Sequence, residues 1–118
     1  MSENPLCLVF SNPVEGKDRE FNEWYDTVHV PEVLGIPGVL SAQRFDVGVP
    51  AAGPAADAAL PQPTHRYLTV YEVDGDIDKV LSGLGEGATS GKIHMSDSLD
   101  LQTATITFWR PHGAKVEL

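Results

Sequence analysis

Residues 21 to 32, Phe21-Asn22-Glu23-Trp24-Tyr25-Asp26-Thr27-Val28-His29-Val30-Pro31-Glu32, carry an aromatic helical stripe that ends on an imidazole. Phe21, Trp24, Tyr25 and Val28 fall at i, i+3, i+4 and i+7, the spacing of one buried helix face. Pro31 donates no backbone hydrogen bond and biases Val30 away from the α region, so the pattern predicts a helix that ends close to His29. A histidine there can point along the helix axis into a cavity, and an unperturbed pKa near ~6.5 suits it to acid or base work at neutral pH. Trp24, Tyr25 and Asp26 add an apolar wall, a hydroxyl and a carboxylate within one turn, the mixture a ligand site needs. Taken singly, Trp24 and Tyr25 read as core.

Outward from this helix the chain alternates strands and helices. Leu6 to Phe10 is a short apolar run closed by Ser11-Asn12-Pro13, hence a strand before the helix. Asp18, Glu20 and Glu23 sit in the early helical turns, where they complement the dipole. Gly35-Ile36-Pro37-Gly38 is a turn, and Val39 to Val47 alternates as a second strand. Arg66 to Val73 is a third strand, rich in aromatic and β-branched residues. Asp74-Gly75-Asp76 offers an N-cap to a second helix carrying Ile77, Val80, Leu81 and Leu84, weakened toward its end by Gly83, Gly85, Gly87 and Gly91. Leu101 to Arg110 alternates as a last strand and stops at Pro111.

The order βαββαβ predicts an α+β, ferredoxin-like domain: a four-stranded antiparallel sheet with two helices on one face. Alternation assigns Leu68, Val70, Ala104, Ile106 and Phe108 to the covered face. It leaves Tyr67, Thr69, Tyr71, Thr103, Thr105, Thr107 and Trp109 on the open one. An aromatic, hydroxyl-bearing open face suggests a second subunit closing over a partly filled cavity. Residues 48 to 64, with four prolines and no periodicity, form a loop inside a single 1–118 domain and either cover a cavity mouth or make a surface insertion.

Composition narrows the function classes. Eight basic against seventeen acidic residues give a formal net charge of -9, which argues against nucleic acid or an anionic membrane surface as a partner. There is neither a membrane-length apolar run nor a signal-peptide pattern, so the expected location is cytoplasmic. The single Cys7, inside an apolar run, reads as a buried core thiol. His29, His65, His94 and His112 fall on four segments without ligand spacing, so no metal site is expected.

The segments Asn12-Pro13, Phe21 to Val33, Pro37-Gly38 and Ser41-Ala42-Gln43-Arg44-Phe45 resemble the EthD-like branch of the dimeric α+β barrel superfamily. Met95 to Asp100 is similar to the corresponding segment of uncharacterised relatives. The resemblance implies a homodimer whose sheets face each other, with a pocket in each subunit between sheet and first helix. It also implies a range of chemistries, from cofactor-free monooxygenases to isomerases, polyketide cyclases, dehydratases and haem-degrading enzymes, so the site must decide.

Three readings follow. The first is a cofactor-independent lyase or isomerase acting on a hydrophobic, oxygenated cyclic compound, with His29 moving the proton. Tyr67, Tyr71 or Arg44 then donates to the developing enolate, Asp26 or Asp97 orients the imidazole, and Trp24, Tyr25, Arg44, Tyr71, Thr105 and Trp109 line the substrate site. The second is oxygen chemistry, either cofactor-free or with haem held by His29 or His94. The third is a non-catalytic protein that holds a small apolar molecule.

Overall fold

The structure is a computed structural model that describes residues 4–48 and 63–118. The predicted 48 to 64 loop lies almost wholly outside the described residues. Four strands pair antiparallel, β1 (Leu6–Ser11), β2 (Val39–Asp46), β3 (Tyr67–Val73) and β4 (Thr105–Trp109), in the spatial order β2-β3-β1-β4. This is the ferredoxin-like order, with the apolar run of β1 and the aromatic β3 at the centre. The last strand is shorter than its alternation suggested, because residues 101–103 form a turn before it.

The first helical segment does not end at His29. α1 (Asp18–Trp24) passes into a π-helical turn over Tyr25–His29 and then into α2 (Val30–Leu34), and Val30 is fully helical at φ -58, ψ -48. Pro31 enters at the start of α2, where a missing N–H costs least. The wide turn precedes it, closed by a bond from the Val30 N–H to the Tyr25 carbonyl, five residues back. The chain thus absorbs the proline by widening one turn.

The second helix, α3 (Ile77–Ser90), is capped by Asp76, whose carboxylate accepts from the Lys79 N–H at 3.0 Å. Its glycines permit close packing. A β-carbon at Gly83 would lie 2.6 Å from Ile36 Cγ2, and one at Gly87 would lie 2.7 Å from Ile93 Cδ1.

Register sorts the two sheet faces. Cys7 pairs with Tyr71 and Phe108, Val9 with Thr69 and Ile106, and Ala42 with Tyr71, so these residues share the helix-covered face. There Cys7, Tyr71 and Val73 join Val33, Ile36, Val80 and Ile93 in the core. The sequence reading of β4 holds, whereas that of β3 is reversed: Tyr67, Thr69 and Tyr71 point at the helices, and Leu68 and Val70 belong to the open face. Both faces of this central strand are apolar enough to pass for the inner one, so hydrophobicity alone does not fix its parity. The open face carries Leu8, Phe10, Leu68 and Val70 at its centre, with Leu6, Phe45 and Trp109 exposed toward its edges. Among the described residues no helix is long and apolar enough to cross a membrane.

Candidate functional site

The wide turn builds the site. In an α-helix, residues five apart lie about 140° apart around the axis; fewer degrees per residue bring them toward one face. Trp24 and His29 accordingly stack, with ring centroids 4.5 Å apart and planes at 26°. Tyr25 meets the imidazole edge-on at 5.0 Å. Trp24 is fixed in turn by a bond from its Nε1 to the His94 carbonyl at 2.9 Å.

Between helices and sheet lies a cavity of about 190 Å³, walled by Tyr25, His29 and Val33 from the helical segment, Cys7, Val9, Val39, Tyr71 and Val73 from the sheet, and Val80 and Leu84 from α3. Met95, Leu99 and Leu101 close it from the segment before β4, with Ala104, Thr105 and Ile106. Met95, Leu101 and Ile106 stay 52%, 70% and 47% exposed, so the mouth is greasy and opens at the β4 edge. Among the described residues no Asp, Glu, Lys or Arg lines the chamber.

His29 is neutral at physiological pH. Burial pushes its pKa from 6.5 down to about 4, only partly opposed by the Glu32 carboxylate. Its Nδ1 is sealed from solvent without a hydrogen-bond partner. The ring is therefore oriented by its aromatic neighbours rather than by a carboxylate. Burial likewise raises the Cys7 thiol to about 11, which leaves it an inert wall group.

The remaining candidates fall into three places. Tyr25, Tyr71 and Thr105 line the cavity with His29, and Trp24 backs the imidazole. Arg44 lies behind them: Nη1 donates to Asp26 Oδ1 at 2.8 Å, Nη2 to Asn22 Oδ1 at 2.9 Å, and the guanidinium sits 4.4 Å over the Tyr25 ring. Asp26 thus serves Arg44, not the imidazole, because the wide turn rotates it outward to 61% side-chain exposure. Tyr67 accepts from Asn22 Nδ2 at 3.2 Å and packs on Phe21, outside the cavity lining. Asp97 is 90% exposed in a serine-rich turn, 3.8 Å from Lys17 Nζ, and Trp109 lies on the open face.

Sequence reasoning passed over Glu32, Ser11 and Thr69. Glu32 accepts from the His94 N–H at 2.7 Å and faces His94 Nδ1 at 2.5 Å, clasping α2 to the segment that closes the cavity. Those bonds hold its carboxyl below the usual range. Ser11 and Thr69 are fully buried on the inner sheet face, and their only advance signal was the strand parity that the sequence left undecided. Among the described residues no group of three or more His, Cys, Asp or Glu is placed to hold a metal.

No family model matches the chain, and no curated protein matches it in sequence. Among solved structures it is similar to the crystal structure of an EthD family protein from Bacillus halodurans C-125. The TM-score is 0.57 and the identity 17%, over 95% of this chain and 99% of that one. At this identity the likeness speaks for architecture alone: the chain has the ferredoxin-like α+β fold of an EthD family protein.

Proposed function

We propose that this protein is a cofactor-independent lyase or isomerase that moves a proton on a compact, apolar, oxygenated ring bound in the cavity, with His29 as the base. The observation that carries the reading is a neutral imidazole in the wall of an otherwise uncharged chamber. His29 takes a proton from carbon next to a carbonyl, the electron pair moves onto the oxygen, and a hydroxyl donor stabilises the enolate. The imidazolium then returns the proton to another carbon, as an isomerase does, or to a departing hydroxide, as a dehydratase does. Tyr71 and Tyr25 are the donors at hand, Thr105 contacts the ring, and Trp24 and Arg44 position the catalytic turn.

The size of the chamber supports a one- or two-ring substrate. A dry cavity of ~150 Å³ holds benzene, and this one is about 190 Å³. His94, the other candidate haem ligand, lies at the surface on Glu32. The fold and the apolar open sheet face support a homodimer joined sheet to sheet.

The same low pKa favours a second reading, a non-catalytic carrier, since a base this weak accelerates proton transfer modestly. Deuterium uptake from D2O into a panel of cyclic ketones and β,γ-unsaturated cyclic enones separates the two. The enzyme reading expects uptake above the solvent rate that is lost in His29→Ala; rings that bind without any uptake would leave only the carrier.

A further inference from the structure

On the sheet side of the cavity, four hydroxyls come together. Ser11 and Thr69 are 0% exposed and Tyr71 3%, all on the inner face of the neighbouring strands β1 and β3, and Tyr25 descends on them from the helical turn. The hydroxyls of Thr69, Tyr71 and Ser11 lie close enough to that of Tyr25 to offset part of the rise in its pKa. Yet Ser11 Oγ, Thr69 Oγ1 and Tyr71 OH are each sealed from solvent without a well-aligned hydrogen bond among the described residues. Buried hydroxyls are nearly always bonded, so three orphans side by side mark a place built for a polar atom that arrives from elsewhere.

We propose that this cluster is the seat of one ligand oxygen: Tyr25 and Tyr71 donate to the carbonyl or hydroxyl oxygen of an uncharged ring in the cavity, and only with that oxygen in place do Ser11 and Thr69 turn to donate to the two phenolic oxygens behind. The arrangement deepens the proposed function, resting on its assignment of the cavity as a ligand site but not on proton transfer by His29. Tyr25 and Tyr71 both line the cavity, so the cluster lies directly behind its wall, and a ligand oxygen reaches it by displacing the two phenols slightly. Burial keeps both phenols protonated, and therefore donors, throughout the physiological range. A chain of hydroxyls donating in one direction strengthens its last member. The ligand is uncharged because no ionic side chain among the described residues lines the chamber, and the guanidinium of Arg44 is already matched by Asp26.

Cyclohexanone and methylenecyclohexane, which differ by an oxygen in place of a methylene, test the seat on the full-length protein. Calorimetric titration is expected to show cyclohexanone binding about tenfold tighter. The infrared carbonyl band of the bound ketone is expected at lower frequency than in an alkane. Tyr71→Phe abolishes most of the preference and returns the band toward its alkane position; Thr69→Val, which keeps the side-chain shape, does so in part and serves alone should Tyr71→Phe not fold. Equal affinity for the two rings with an unshifted band overturns the seat, leaving the hydroxyls to a trapped water and the His29 reading intact. Failure of both rings to bind overturns the seat and the ligand site together.

Discussion

The imidazole of His29 lies stacked on the indole of Trp24, 4.5 Å between ring centroids, although the two residues are five apart in a helical segment. Only a turn wound wider than an α-helix brings that pair face to face, and that turn sits immediately ahead of Pro31. The proline and the Trp24–His29 stack are therefore one feature. From it follow consequences for the cavity lid, the pH response and the sheet.

Trp24→Phe keeps an aromatic ring against His29 but removes the bond to the His94 carbonyl. The segment over 94–104 then loses that tie to the helices and keeps the bonds of Glu32 to His94. Hydrogen exchange is expected to speed up in that segment while β1 and β3 stay protected, with a loss of about 1 kcal/mol in denaturant-derived stability.

Stability should fall in mild acid because of His29. Its folded pKa, about 4, lies below the ordinary 6.5, so the unfolded chain binds more protons between those values. Stability is therefore full above about pH 6.5 and declines as pH falls toward about 4. Glu32, held below its usual 4.5, adds its own loss only at the acid end of that window. Urea midpoints measured across this range are expected to drop in the native protein and to flatten in His29→Phe.

Thr69→Val separates function from stability. The hydroxyl it removes makes no well-aligned hydrogen bond among the described residues, so the thermal midpoint should hold or rise. A hydroxyl with a structural bond would instead make the valine variant melt earlier, by about 1 kcal/mol.

Arg44 is half-buried among Tyr25, Phe21 and Tyr67 and bonded to Asp26 and Asn22. Arg44→Lys cannot reproduce a planar fork that bonds two partners while lying on a ring, and a cost of about 1–3 kcal/mol is expected in thermal or chemical unfolding. Asp26→Asn keeps an acceptor at an exposed position, and its cost should stay below about 1 kcal/mol.

Trp109 stands 57% exposed on the open sheet face, paired across from Leu6. If two copies join through that face, Trp109→Glu places a charge in the joint, and sedimentation should show a dimer in the native protein and a monomer in the variant. A native protein that sediments as a monomer would contradict the sheet-to-sheet arrangement.

The element order, the Asp76 cap and the burial of Cys7 were legible because each follows from local pattern. The wide turn was not: Pro31 signals that regular α-helix is broken, but not whether the chain leaves the helix or loosens it. The facing of Tyr67, Thr69 and Tyr71 was hidden because Leu68 and Val70, on the other side of β3, are just as apolar. That ambiguity concealed the hydroxyl cluster and placed Tyr71 on the wrong face while still naming it as a ligand contact. Asp26 was read as a partner for His29 from proximity in sequence, whereas a residue on β2, Arg44, claims it in space.

His29 is an uncharged imidazole in the wall of an apolar chamber that opens at the β4 edge. Its ring nitrogens can be titrated directly by 15N-resolved NMR, with and without cyclohexanone. A midpoint near 4 and ring resonances that move when the ketone is added are expected. A midpoint near the ordinary 6.5, with resonances indifferent to the ketone, would contradict it.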